Sequence, residues 1–156
     1  MVCGSKKSSN PQNTGVKEFL TKEDFKAVCD NQTLDVIGQS DDGNIARAER
    51  YAMEEISSYM RSRYDIGSAF AKRGAERNQH LVMITCDVAL YHLVAWLPKR
   101  IGFEIRETRY KSAIAWLKDV QAGKATPDIP VITDEDGNDV GTPIADGGWE
   151  KSIYDY

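Results

Sequence analysis

The sequence is poor in the residues that build disulfide-linked, metal-binding or membrane-spanning proteins. It has three cysteines and two histidines in 156 residues. Cys3, Cys29 and Cys86 form no CxxC pair, so neither a disulfide framework nor a zinc site is expected. No apolar run approaches the roughly 18 residues that span a bilayer, and residues 1–15 lack the apolar stretch of a signal peptide. We expect a protein of a reducing cytoplasm that contacts no membrane and needs no cofactor.

Motifs that carry catalysis are also missing. There is no GxSxG, P-loop, HExxH or glycine-rich nucleotide fingerprint. His80 and His92 are expected to be satisfied side chains of one helix, and Cys86 a small buried thiol. The acidic run at 134–139 departs from a calcium loop, because its glycine comes one position early and Pro143 occupies the place of the last glutamate. We interpret it as a plain turn and expect no enzyme activity.

The remaining composition, 41% hydrophobic and 28% charged, is that of one globular domain. Apolar spacing predicts an all-α protein, a small bundle of about four helices at 22–29, 44–63, 76–97 and 104–122. Thr21 is the expected N-cap of the first helix. Residues 30–44 are predicted to be a linker held against the body by Leu34, Val36 and Ile37, and residues 64–67 to end the second helix.

The third predicted helix is apolar on nearly every side, which places it in the core. The second helix has an apolar stripe of Ile45, Ala48, Ala52, Ile56, Tyr59 and Met60. The fourth has an inner face of Ile105, Tyr110, Ala113, Ile114, Leu117 and Val120, and Gly123 suits the position after its end. Six side chains from these helices are predicted to be buried together: Ile56, Tyr59, Ile84, Val88, Tyr91 and Leu117.

Composition divides the chain into three regions: a flexible polar arm at 1–15, a helical domain at 16–123 and an acidic extended arm at 124–156. The last region carries eight acids and two lysines, a net charge of −6, which leaves +2 for residues 1–123. Within it, VITDEDGNDV predicts a short hairpin with its turn at 136–138. Aromatic and apolar residues that follow a Gly-Gly pair are a candidate partner interface: Trp149, Ile153, Tyr154 and Tyr156.

Basic residues concentrate in the helical domain, where residues 44–118 hold thirteen Lys or Arg and eight Asp or Glu. Three interpretations stay open: a solvated face, an interface for acidic segments such as the tail of a neighbouring copy, or contact with a nucleic-acid backbone. The candidate face for a DNA channel or an acidic partner consists of Arg61, Arg63, Lys72, Arg73 and Arg77.

Three segments follow one another in a recognisable order. The first has the core A-x-x-E-I-x-x-Y-[LM]-x-x-R-Y, the second [IV]-A-x-Y-x-L, and the third R-Y-x-x-A-[IL]-x-x-L followed by a glycine. Together, over about residues 18–125, they resemble the small all-helical head–tail connector proteins of tailed phages, the adaptor or head-completion proteins of Mu-like prophages. The residues that carry the resemblance are Ala52, Glu55, Ile56, Tyr59, Met60, Arg63 and Tyr64, then Val88, Ala89, Tyr91 and Leu93, then Arg109, Tyr110, Ala113, Ile114, Leu117 and Gly123.

The sequence departs from this family at two places. The family often has a proline-containing loop after the R-Y pair, where this chain has Asp65-Ile66-Gly67-Ser68. The acidic arm after Ala125 lies outside the resemblance.

The resemblance implies a structural role. Such adaptors form a ring, commonly of twelve copies, beneath the portal protein, where they extend the channel for packaged DNA and dock the tail or stopper protein. The implied location is the virion neck, with the host cytoplasm as the place of assembly. The alternative from a different class is a small helical nucleic-acid-binding module for DNA packaging or regulation.

Overall fold

The computed structural model describes residues 18–38, 41–95 and 102–140. Helix accounts for 66% of them, which confirms the predicted all-α fold. These residues form α1 (Lys22–Lys26), α2 (Asn31–Ile37), α3 (Asp42–Met60), α4 (Ile66–Ala71), a 3-10 turn (Gly74–Glu76), α5 (Gln79–Ala95) and α6 (Phe103–Gln121). The three long helices α3, α5 and α6 correspond to the three long predicted ones, with ends shifted by one to three residues.

The centre of the fold is α5, because its sequence is apolar on almost every side. Eleven of its seventeen residues are buried, and it packs against both α3 and α6 as well as against the short helices α1 and α2. Its buried Thr85 hydroxyl donates to the carbonyl of Leu81 at 2.6 Å, so this polar group needs no partner from another helix.

Four of the six side chains predicted to share the core do so. Ile56, Ile84, Val88 and Leu117 are at most 2% exposed. Tyr59 and Tyr91 are only half-buried. A phenol hydroxyl favours contact with water or a polar partner, which keeps such rings at the rim of a core.

One residue of the predicted inner face of α6 points outward. Ile105 is 65% exposed, whereas the neighbouring Arg106 is buried. Both terminal nitrogens of Arg106 donate to the carbonyl of Val28, each at 3.2 Å. The inner face of α6 therefore begins one position later than its hydrophobicity indicates, because this hydrogen bonding makes a buried arginine acceptable there.

The predicted linker at 30–44 contains a helix, α2. Asp30 caps it by accepting from the backbone N–H of Thr33 at 2.9 Å and from the Thr33 hydroxyl at 2.6 Å. Leu34 and Ile37 are buried as expected, but Val36 is 50% exposed. The first predicted helix is shorter than 22–29 because α1 ends at Lys26, while its capping box at Thr21 is present.

The segment predicted to end the second helix also starts a new one. Asp65 accepts from the backbone N–H of Ser68 at 3.1 Å and so caps α4. Ile66 and Phe70 of α4 are buried, and the helix packs against α3. The result is a corner between α3 and α4 at residues 61–65.

The predicted hairpin is present after α6 and is attached to this corner. Thr133 pairs with Asp139 across the turn, and Gly137 within it has φ +83°. The backbone N–H of Ile132 donates to the carbonyl of Arg63 at 2.9 Å, and that of Asp65 donates to the carbonyl of Pro130 at 2.8 Å. The hairpin therefore has a fixed position on the helical body.

Candidate functional site

One residue of the predicted basic face belongs to the interior. Arg77 donates to the two carboxylate oxygens of Asp24 at 2.6 and 3.1 Å and to the carbonyl of Phe19 at 2.9 Å. Its side chain is 9% exposed and that of Asp24 is 14% exposed. Burial by itself raises the pKa of the Asp24 carboxyl, but the hydrogen bonds from Arg77 and Thr21 together hold that pKa below its ordinary value. Arg77 thus fastens α1 to the segment before α5 and presents no charge to a partner.

A second polar cluster joins the three long helices. Glu55 of α3 accepts from the Tyr110 hydroxyl of α6 at 2.6 Å and lies 2.8 Å from Nε2 of His92 on α5. The ring of Tyr110 stacks on that of Tyr91, with centroids 4.0 Å apart and planes 11° apart. Burial and the nearby Glu55 carboxylate raise the pKa of Tyr110, so this hydroxyl remains a hydrogen-bond donor at neutral pH.

Two further polar contacts, made by Glu49 and Asp87, could not be predicted from the spacing of the apolar residues. Glu49, 3% exposed, accepts from the backbone N–H groups of Phe19 and Leu20 at 2.6 and 2.9 Å. Burial raises the pKa of its carboxyl. Asp87 of α5 accepts from Nε of Arg109 on α6 at 2.6 Å. For both contacts, the only sign in the sequence was an acidic residue on a helix face that is otherwise apolar.

The two histidines of α5 have different surroundings, whereas Cys29 and Cys86 are both buried. His92 is satisfied by Glu55, whereas His80 is exposed and contacts Trp116 edge-on, with ring centroids 4.4 Å apart. Cys86 is 1% exposed, which confirms a buried thiol, and burial raises its pKa. Cys29 is also buried.

Of the other predicted basic residues, two make local contacts near the end of α3. Arg61 forms an ion pair with Glu54 at 2.6 Å, and both side chains are more than half exposed. The guanidinium of Arg63 lies 5.7 Å from the ring centroid of Tyr64. A guanidinium at this distance is attracted by the quadrupole of the aromatic ring.

The other two predicted basic residues, Lys72 and Arg73, directly follow the end of α4. Arg73 donates from one terminal nitrogen to the carbonyls of Phe70 and Lys72, at 2.7 Å each. The side chain of Lys72 is exposed. Arg73 also lines a shallow cleft of about 470 Å³ between α3 and α4. We call it the basic cleft; its lining residues are Arg50, Met53, Glu54, Ser57, Gly67, Phe70, Ala71 and Arg73.

The basic cleft carries more positive than negative charge. Arg50 lines it, and Arg47 lies one turn earlier on α3; both are exposed. In the described part of the chain, neither arginine takes part in any of the observed ion pairs. Glu54, the single acidic residue that lines the cleft, is already paired with Arg61. The cleft is therefore able to accept an anionic group.

The turn at 133–139, here called the acidic hairpin, has the opposite character. It contains four acids and no basic residue. The Asp134 carboxylate accepts from the backbone N–H groups of Asp136 and Asn138 at 3.0 and 2.8 Å, and these bonds, led by that of Asn138, lower its pKa. Glu135 and Asp136 are exposed at the tip. The turn thus uses one carboxylate for its own geometry and presents the others to solvent.

Comparison with known proteins places the chain in a family. Residues 13–141 match the model of the family described as bacteriophage Mu, Gp36. The chain belongs to the Gp36 family of bacteriophage Mu. It is therefore a phage protein of the Mu-like type. No curated protein and no solved structure matches it.

The Gp36 match extends further along the chain than the motif resemblance, which ends near residue 125. It includes the helical body and the acidic hairpin. The candidate interface residues Trp149, Ile153, Tyr154 and Tyr156 come after the match and lie outside the described residues, as does the arm at 1–15. Among the residues that are described, no helix is long and apolar enough to cross a membrane.

Proposed function

We propose that this Gp36-family protein is a structural head–tail connector with no catalytic activity. It forms a homo-oligomeric ring, commonly of twelve copies, beneath the portal protein. The ring extends the channel through which packaged DNA passes and gives the tail or stopper protein a docking surface. The protein assembles in the host cytoplasm and ends in the neck of the virion.

The observation that carries this proposal is that the three motif segments meet in one cluster. Glu55 comes from the first segment, Tyr91 from the second and Tyr110 from the third. They are joined by the 2.6 Å hydrogen bond between Tyr110 and Glu55 and by the stacking of the two tyrosine rings. Residues spaced so widely in sequence have a shared structural reason to occur together, which supports the connector resemblance.

The R-Y pair of the first segment, Arg63-Tyr64, attaches the hairpin to the helical body. The carbonyl of Arg63 and the backbone of Tyr64 hold residues 131 and 132, which lead into the acidic hairpin. Membership of a Mu phage family supports a phage-related function, with which the connector role is consistent.

The test is removal of the protein from the phage that encodes it. We expect DNA-filled heads and free tails to accumulate, and electron microscopy of complete particles to show density for the protein at the neck. Truncation after Val140 removes the candidate partner interface and leaves the buried Ile129 in place, and we expect it to weaken assembly. Tailed infectious particles formed without the protein would contradict the proposal.

The alternative, a nucleic-acid-binding module, is favoured by one observation: Arg47, Arg50 and Lys72 are exposed and take part in none of the ion pairs of the described chain. If these three cations alone contacted phosphates, log Kd would change with log salt by a slope of about 2.7. Binding of duplex DNA with a slope of about 2.7 or steeper, together with absence from particles, would favour this alternative.

A further inference from the structure

We propose that the basic cleft between α3 and α4 binds the acidic hairpin of a second copy of this chain. The inference rests on the proposed function, because it names the contact by which the ring is built. It commits the cleft to one occupant, residues 133–139 of a neighbouring subunit.

The cleft provides a positive rim above an apolar floor. Arg50 of α3 and Arg73 after α4 line opposite walls, and Arg47 extends the positive charge by one turn of α3. Phe70, which is 6% exposed, and the half-buried Met53 form the floor. A volume of about 470 Å³ is enough for the side chains at the tip of a tight turn.

The hairpin provides a matching surface that is already ordered. Its turn is closed by the backbone bond from Asp134 N–H to the Asn138 carbonyl at 2.9 Å. Glu135 and Asp136 are exposed at the tip, and Val140, 50% exposed, offers an apolar surface at the base of the hairpin. Because the hairpin is anchored to the corner at Arg63, little conformational entropy remains to be lost when it docks.

No observed ion pair joins the hairpin to the cleft of the same chain in the part of the chain that the structure describes. The ion pairs observed among residues 18–38, 41–95 and 102–140 join helices or adjacent turns. Two complementary surfaces at different places on one chain give a head-to-tail interface. Such an interface produces a closed ring when the rotation between subunits allows it.

The small extent of the positive charge favours the hairpin as the occupant. The cleft and its extension hold three arginines, Arg47, Arg50 and Arg73, against Glu54, which suits the few carboxylates of one hairpin tip. A single hairpin contact is small, so we expect weak pairwise association that becomes stable when the ring closes or the portal is present.

The experiment is a cross-link between the two surfaces in the purified full chain. In a Cys3→Ser background, Ser57→Cys places a thiol in the cleft and Asp136→Cys places one at the hairpin tip. A short thiol cross-linker should yield a ladder of covalent oligomers when both cysteines are on one chain. When the two cysteines are on separate chains that are mixed, it should yield only dimers.

Matched variants show whether the contact is specific. Ser112→Cys on the exposed side of α6, combined with Asp136→Cys, is the control and should give no ladder. Arg50→Glu or Glu135→Lys alone should lower the cross-linked yield by about tenfold or more, and the two together should restore it. Equal yields from the cleft and control pairs, or no cross-link at millimolar protein, would overturn the proposal.

The other outcomes separate this contact from its alternatives. Loss of DNA binding in Arg50→Glu without any effect of Glu135→Lys on assembly would assign the cleft to nucleic acid and overturn the proposal. Neck density without the cross-link would leave the connector function standing and remove only this contact. A specific ladder from a protein that is absent from particles would support the contact and contradict the connector function.

Discussion

Replacing Arg77 by methionine is expected to lower the free energy of unfolding by about 3 kcal/mol at pH 7. The substitution keeps the aliphatic part of the side chain and removes the guanidinium, which lies 5.7 Å from the ring centroid of Phe19. The Asp24 carboxylate, 14% exposed, then loses two hydrogen bonds, and the Phe19 carbonyl loses one. Breaking a buried pair costs about 3–5 kcal/mol, and the bonds that Thr21 still gives to Asp24 favour the lower end.

Urea unfolding followed by circular dichroism measures this loss, with Arg61→Met as the matched control. Arg61 also pairs with a carboxylate at 2.6 Å, but the two side chains are 55% and 76% exposed. Its replacement should cost less than about 1 kcal/mol. If Arg77→Met costs no more than the control, the interior assignment of Arg77 is wrong.

The cost of Arg77→Met should also depend on pH in a defined direction. The folded-state pKa of Asp24 is held below its ordinary value, so its ionised form stabilises the fold above the unfolded-state pKa of about 4. This stabilisation is lost as the pH falls through the folded-state pKa. The difference in unfolding free energy between wild type and Arg77→Met should therefore be full at pH 7 and shrink below about pH 4. A difference that is constant from pH 7 to pH 3 would refute the electrostatic explanation.

Substitutions at three further positions test the interior by the same unfolding measurement. Glu49→Gln should change the unfolding free energy by less than about 1 kcal/mol, because one amide oxygen can accept both backbone N–H groups, whereas Glu49→Ala should cost about 2–3 kcal/mol; equal costs would contradict this. Leu117→Ala, at a fully buried position, should cost about 3–5 kcal/mol, and a cost under 1 kcal/mol would show that the core collapses around it. Tyr110→Phe should cost about 1–2 kcal/mol, since the ring stack is kept and the bond to Glu55 is lost; no change would mean that the cluster does not stabilise the bundle.

The long helices could be predicted because burial leaves a periodic record in the sequence. Apolar residues on nearly every side of α5 predicted its central place, and steps of four at Ala48, Ala52 and Ile56 predicted the inner face of α3. The short helices α2 and α4 could not be predicted in this way, because seven and six residues provide too few turns to show a period. Their capping aspartates, Asp30 and Asp65, were signals that are equally typical of turns.

The sequence could not show which charged residues lie in the interior, and the reason is different. Sequence shows the sign of a charge but not whether a partner from a distant segment reaches it. Arg77 and Asp24 are 53 positions apart, and Arg106 reaches the Val28 carbonyl across 78. Long-range pairing of this kind removed Arg77 from the candidate face, and the packing of α4 on α3 placed Arg50 and Arg73 in one cleft.

The sequence by itself determined the all-α class, the three long helices, the acidic turn and the order of motifs that fits a phage connector. These depend on local spacing and on residue type, which are written in neighbouring positions. Only the tertiary structure decided which charges are internal, where the hairpin is attached and that a basic cleft forms between α3 and α4. Those features depend on contacts between segments tens of residues apart, because desolvation and hydrogen bonding act on whatever the fold brings together.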